Sequence, residues 1–148
     1  MIRHASLMAA RESRAAGGRW RGVLIEGPSG AGKSDLVLRA LDQGFRLVAD
    51  DRVLLWVSAG RLFGRAPETL DGLLEVRGLD VVAVPALPLA EVALVARCGP
   101  PERMPGPRFD EVLGVLVPRV EVEPRLASTP AGLRRALSRF DETAKRGI

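Results

Sequence analysis

The stretch Gly27-Pro28-Ser29-Gly30-Ala31-Gly32-Lys33-Ser34 fits G-x-x-x-x-G-K-[ST], the phosphate-binding P-loop, and nothing else in the chain limits the fold as strongly. Such a loop works because its backbone N–H groups turn inward around phosphate oxygens, and a side chain at the glycines would block that approach. Lys33 is placed to reach the β- and γ-phosphates of a nucleotide, and the Ser34 hydroxyl to sit on Mg²⁺. A helix starting near Lys33 aims the positive end of its dipole at the same anion.

The flanks have the character the motif requires. Trp20 to Glu26 reads as a short apolar strand. Asp35 to Gln43 reads as a helix with Leu36, Leu38, Ala40 and Leu41 available for burial, and Gly44 is its stop. Phe45 to Asp50 reads as a second strand, so strand, helix and strand form a β-α-β crossover. Parallel strands of this kind end on one edge of the sheet, where ligands bind in open α/β folds. Asp50 and Asp51, in which the second strand ends, are thereby brought toward the phosphates. There a carboxylate can hold Mg²⁺ or take a proton from an incoming hydroxyl.

At 148 residues a single domain, 1–148, is expected. The formal charge is +4, but twenty of the 22 basic residues are arginines spread along the chain, with a loose group at Arg11, Arg14, Arg19 and Arg21. With so few aromatics to stack bases, no nucleic-acid partner is expected. One cysteine, Cys98, excludes an intrachain disulfide and suits a reducing cytoplasm. No apolar run approaches the roughly 20 residues that cross a bilayer, so no membrane role is expected. The Pro-rich segment Gly99 to Arg108 is the lid or loop candidate.

Ile2 to Ala10 reads as a first strand, returned by a Gly17-Gly18 turn. Arg52 to Gly64 reads as a hairpin around Ser58-Ala59-Gly60, and Thr69 to Leu74 as a short helix. In Leu74-Glu75-Val76-Arg77-Gly78, period-two alternation puts Glu75 and Arg77 on one side. Leu89 to Arg97 and Glu111 to Val122 supply further strands. Ser128-Thr129-Pro130 opens a last helix, whose stripe of Leu133, Ala136, Leu137 and Phe140 packs on the sheet. On residue type alone His4, Glu75 and Arg77 read as ordinary surface positions.

Three segments together, GPSGAGKSDL, RLVADD and LLEVRGLDVVAV, resemble the catalytic domain of HPr kinase/phosphorylase, in spacing as well as in residues. With His4-Ala5-Ser6 the likeness spans most of residues 1 to 87. It implies an α/β P-loop domain of the phosphoenolpyruvate-carboxykinase-like type, with a central mixed sheet, a P-loop helix and a C-terminal helix. It implies ATP and Mg²⁺ as cofactors, and a serine of HPr as acceptor. It also implies a cytoplasmic homo-oligomer, a hexamer. By motif, His4 matches the family's active-site histidine, Lys33 the P-loop lysine and Asp51 the proton acceptor. Ser34 and Glu75 match metal ligands, with Asp50 beside them, and Arg77 lies in the signature strand.

The resemblance is to the short form of the family, without the long members' N-terminal domain. The connection from His4 to the P-loop strand is longer than in the family. The DRLG-like segment stands as Asp110-Glu111-Val112-Leu113-Gly114, without its Arg. The Pro/Arg/Gly-rich loop tied to phosphorolysis is not recognisable in Glu123-Pro124-Arg125-Leu126. The expectation is therefore a serine kinase, with the reverse reaction left open. The alternatives are a small-molecule P-loop kinase and a nucleotide-gated binding module that transfers no phosphate.

Overall fold

A computed structural model describes residues 1–104 and 106–145. Its main sheet contains β1 (Ile2–His4), β2 (Ser6–Arg11), β3 (Trp20–Glu26), β4 (Phe45–Ala49), β5 (Arg52–Ser58) and β6 (Arg61–Arg65). Two helices, α1 (Lys33–Leu41) and α2 (Thr129–Lys145), pack on it. A separate hairpin is formed by β7 (Leu73–Val76) and β8 (Asp80–Ala83). Then β9 (Ala90–Cys98), β10 (Phe109–Val112) and β11 (Val115–Val122) return to the main sheet. The fold is α/β, with a mixed sheet, a P-loop helix and a C-terminal helix, as the sequence led us to expect.

Strand order along the sheet is β1-β5-β6-β9-β3-β2-β4, with β11 also on β9 and β10 on β11. β1 and β2 are separated by Ala5 alone, and β4 and β5 by Asp50 and Asp51 alone, yet the members of each pair lie at or near opposite ends of that order. Chain connectivity therefore forces the sheet to curl until its two ends meet. At the seam the Ala5 N–H donates to the Asp51 carbonyl at 3.2 Å.

The central strands β2, β3, β4 and β9 are buried on both faces, so they read as nearly continuous apolar runs. Alternate residues serve two cores. Leu7, Ala9, Leu24, Val53, Leu55, Val92 and Val95 fill the inside of the curl. Met8, Val23, Ile25, Leu47, Leu94 and Ala96 face outward and are covered by Leu36, Val37 and Ala40 of α1 and by Leu133 and Leu137 of α2.

Four details differ from expectation. The first strand is two, because its halves pair with different partners: Ile2–His4 with β5, and Ser6–Arg11 with β3 and β4. The crossover strands β3 and β4 run parallel but are not neighbours, since β2 lies between them, antiparallel to both. Of the helix expected over 69–74, only a 3₁₀ turn at Glu68–Leu70 forms, because Gly72 at φ +70° turns the chain into β7. At the start of α2 the Thr129 hydroxyl donates back to the Glu123 carbonyl at 2.6 Å, and the Ser128 carbonyl accepts from Gly132 N–H.

Candidate phosphate site at the seam of the sheet

Five chain segments reach one edge of the sheet, and the registers show why. β3 and β4 both end there. β9 runs parallel to β3 and β11 parallel to β9, so Cys98 and Val122 end there too. β2 is antiparallel, so it begins where the others stop, with Ser6 opposite Ile25 and Leu7 opposite Ala49. The P-loop, the Asp pair, Ser6 and the Glu123–Leu126 connection are therefore neighbours. Together with the β7 hairpin they enclose a cavity of about 670 Å³, walled in part by Gly30, Lys33, Ser34, Asp51, Glu75 and Arg77.

Inside the loop, Gly30 and Gly32 adopt φ of +81° and +106°, values that only glycine takes at low cost. Alternating backbone of this kind turns consecutive N–H groups to one side, which makes an anion cradle. Gly27 is required by close packing. A Cβ there would lie 2.8 Å from Cys98 Cβ. Lys33 Nζ donates to the carbonyls of Gly27 at 2.7 Å and Pro28 at 3.0 Å, so its charge rests on the loop's own oxygens at the mouth of α1.

The two aspartates, adjacent in sequence, have different surroundings. Asp50 is buried. Its carboxylate accepts from Ser6 Oγ at 2.8 Å, from Ser34 Oγ at 2.8 and 2.9 Å, and from the Glu75 N–H at 3.2 Å. Asp51 is exposed to the cavity. The Arg52 N–H donates to the Asp50 carbonyl at 2.8 Å, closing a γ-turn centred on Asp51 at φ +69°. That conformation is rare and strained for a residue with a Cβ.

Of the residues singled out from sequence, Ser29, Gly30, Gly32, Lys33, Ser34, Asp51, Glu75 and Arg77 line the cavity. His4 is exposed on β1, paired with Arg52, and is not among the lining residues named. Gly27, Pro28 and Ala31 shape the loop from behind.

Two residues of the wall carried no signal of their own. Ser6 depends on β2 inserting between β3 and β4, a long-range pairing. Arg125 lies in a segment whose sequence pointed to nothing, yet its Nη2 donates to the Gly30 carbonyl at 3.0 Å. That segment is strapped to α1 by Arg39, which donates to the carbonyls of Pro124 and Leu126 and is paired with Asp35.

Cys98 touches the loop from β9. Burial pushes its thiol pKa up, and Glu123 pushes the same way, against Lys33 and Arg125. A thiol kept protonated is a poor nucleophile, which leaves Cys98 a packing role against Gly27.

The donors offered to a cation are a serine hydroxyl and carboxylates, hard oxygen ligands that fit Mg²⁺. Among the described residues no group of three or more His, Cys, Asp or Glu could cage a metal by itself. Mg²⁺ is ordinarily held by one or two carboxylates plus phosphate oxygens and water, so Ser34, Asp50 and Glu75 suit an ion shared with a bound phosphate.

A P-loop at a strand-to-helix turn, set in a curled mixed sheet above a buried acid, defines an α/β P-loop protein. Residues 20–88 match the family described as HPr Serine kinase C-terminal domain. HPr kinase/phosphorylase from Clostridium tetani is 48% identical over 66 residues, covering 45% of this chain and 22% of that protein. The protein of the same name from Limosilactobacillus reuteri is 35% identical over 118 residues, covering 68% of this chain and 36% of that one. The structure of the Hpr(Ser) kinase/phosphatase from Coxiella burnetii superposes with a TM-score of 0.76 at 26% identity, covering 99% of both chains. The chain is similar to the HPr kinase/phosphorylase family over part of this C-terminal domain. It spans 22% to 36% of the length of the two curated relatives.

Proposed function

We propose that this chain is an ATP- and Mg²⁺-dependent serine kinase acting on HPr or an HPr-like phosphocarrier. We read residues 1–148 as one catalytic domain that works in the cytoplasm as a homo-oligomer, a hexamer by family likeness. The observation that carries this reading is the convergence of Lys33, Ser34, Asp51, Glu75 and Arg77 on one cavity. The proteins it resembles are HPr kinase/phosphorylases and an Hpr(Ser) kinase/phosphatase, which supports this reading. No helix of the described residues is long and apolar enough to cross a membrane.

The residues divide the work by chemistry. The loop amides and the dipole of α1 receive the phosphates. Lys33 exchanges the Gly27 and Pro28 carbonyls for phosphate oxygens and neutralises charge that builds during transfer. Asp51, exposed and acceptor-only when ionised, takes the proton of the acceptor serine as its oxygen bonds to the terminal phosphorus. The bond between that phosphorus and the bridging oxygen breaks, and the nucleoside diphosphate leaves. Arg77 presents a planar set of donors to the phosphoryl oxygens, and His4 acts at the edge, where it pairs beside Asp51. Ser34 and Glu75, with Asp50, would hold Mg²⁺, which would supply charge to shield the β- and γ-phosphates.

The test is transfer from γ-labelled ATP to HPr, and to HPr with its regulatory serine replaced by alanine. We expect label on the first and none on the second. Label on the second rejects the acceptor. We expect Asp51→Asn to lower transfer about 10²- to 10⁴-fold, the usual range for a lost general base, with nucleotide affinity within about twofold. Transfer at the wild-type rate would remove Asp51 from the mechanism.

A further inference from the structure

Ser6 is fully buried in a run of apolar residues, Ala5 to Ala10, where an unpartnered hydroxyl is costly. It spends its proton on Asp50 Oδ1 at 2.8 Å. The same carboxylate accepts the Ser34 hydroxyl and the Glu75 N–H. A buried carboxylate held by three donors from three elements, β2, α1 and β7, has one orientation. A serine hydroxyl has one proton and two lone pairs. With its proton on Asp50, Ser34 turns its lone pairs away from Asp50, which is how an oxygen must face to meet a cation.

We propose that Ser6 is a positioning residue for the phosphate site: it pins Asp50, which then orients Ser34 toward the metal–nucleotide. It touches no reacting atom. The inference rests on the proposed nucleotide-binding function for its ligand, and on the Ser6–Asp50–Ser34 chain for its content. Without the Ser6 hydroxyl, Asp50 keeps two donors on elements that must adjust when ligand arrives. Outer-layer partners of this kind commonly change metal affinity 10- to 100-fold when lost.

The experiment uses the full chain and a binding readout with no transfer step. A fluorescent ATP analogue is titrated at increasing Mg²⁺, and urea midpoints are measured in parallel. We expect Ser6→Ala to raise the Mg²⁺ concentration for half-maximal binding about tenfold, while binding without Mg²⁺ stays within about twofold. Ser6→Thr, which keeps a hydroxyl, returns the requirement to within about threefold of wild type. Leu7→Val is the structural control. It loosens the same strand inside the curl, lowering the urea midpoint and leaving the Mg²⁺ requirement alone. An unchanged requirement in Ser6→Ala overturns the inference, and so does an equal shift in Leu7→Val. Failure of the wild-type chain to bind the analogue at any Mg²⁺ concentration overturns the nucleotide reading itself, and the inference with it.

Discussion

Asp50 and Asp51 share a corner of the chain, but the corner treats them differently. Asp50 follows β4 directly and is buried, where three donors meet it. Asp51 takes the strained turn and faces the cavity. Backbone strain of about 1–3 kcal/mol at such a residue persists only where surrounding structure or function maintains it. Here the seam bond from Ala5 N–H to the Asp51 carbonyl fixes the turn. We therefore expect Asp51→Gly to raise the unfolding free energy by about 1 kcal/mol, after subtracting glycine's greater freedom in the unfolded chain. The same change should abolish phosphate transfer. Urea denaturation measures the first effect, and a drop in the midpoint would show that the turn is not strained. The adjacent acids were legible in the sequence as a pair. Their division into a buried acceptor and an exposed carboxylate was not, because it depends on φ at Asp51 and on a donor 44 residues away, Ser6.

At the scale of elements, local signals carried far. The strand before the loop spans Trp20–Glu26 as read, α1 opens at Lys33, and Gly44 at φ +87° ends the turn that follows the helix. The hairpin around Ala59-Gly60 and the apolar stripe of α2 also follow from periodicity and turn chemistry. What escaped was strand order. β2 enters between β3 and β4, and β11 joins β9 in parallel, through pairings that no local window encodes. Those pairings bring Ser6 and Arg125 to the site. β3 and β9 are tightly coupled at Gly22, where a Cβ would lie 2.6 Å from the Glu91 carbonyl oxygen, a backbone atom that cannot swing aside. The register also shifts between Gly22 and Val23. Gly22→Ala should therefore destabilise by about 1–3 kcal/mol or more, as overpacking does. An unchanged urea midpoint would mean that the two strands separate more easily than their register implies.

For the whole molecule, the curl of the sheet is what makes a site. A nearly closed sheet brings its first and last strands together, and both short connections across the seam carry functional candidates: Ala5 beside Ser6, and the Asp pair. The P-loop joins them because β3 ends on the same edge. The most direct measurement is a crystal structure of this chain with a non-hydrolysable ATP analogue and Mn²⁺, the ion located by its anomalous scattering. We expect the terminal phosphate in the cavity facing Asp51, the ion beside Ser34, and Lys33 Nζ moved from the Gly27 and Pro28 carbonyls to phosphate. An analogue bound elsewhere, or Lys33 still on those carbonyls with the phosphates out of its reach, would contradict a single site built from the glycine loop and the seam.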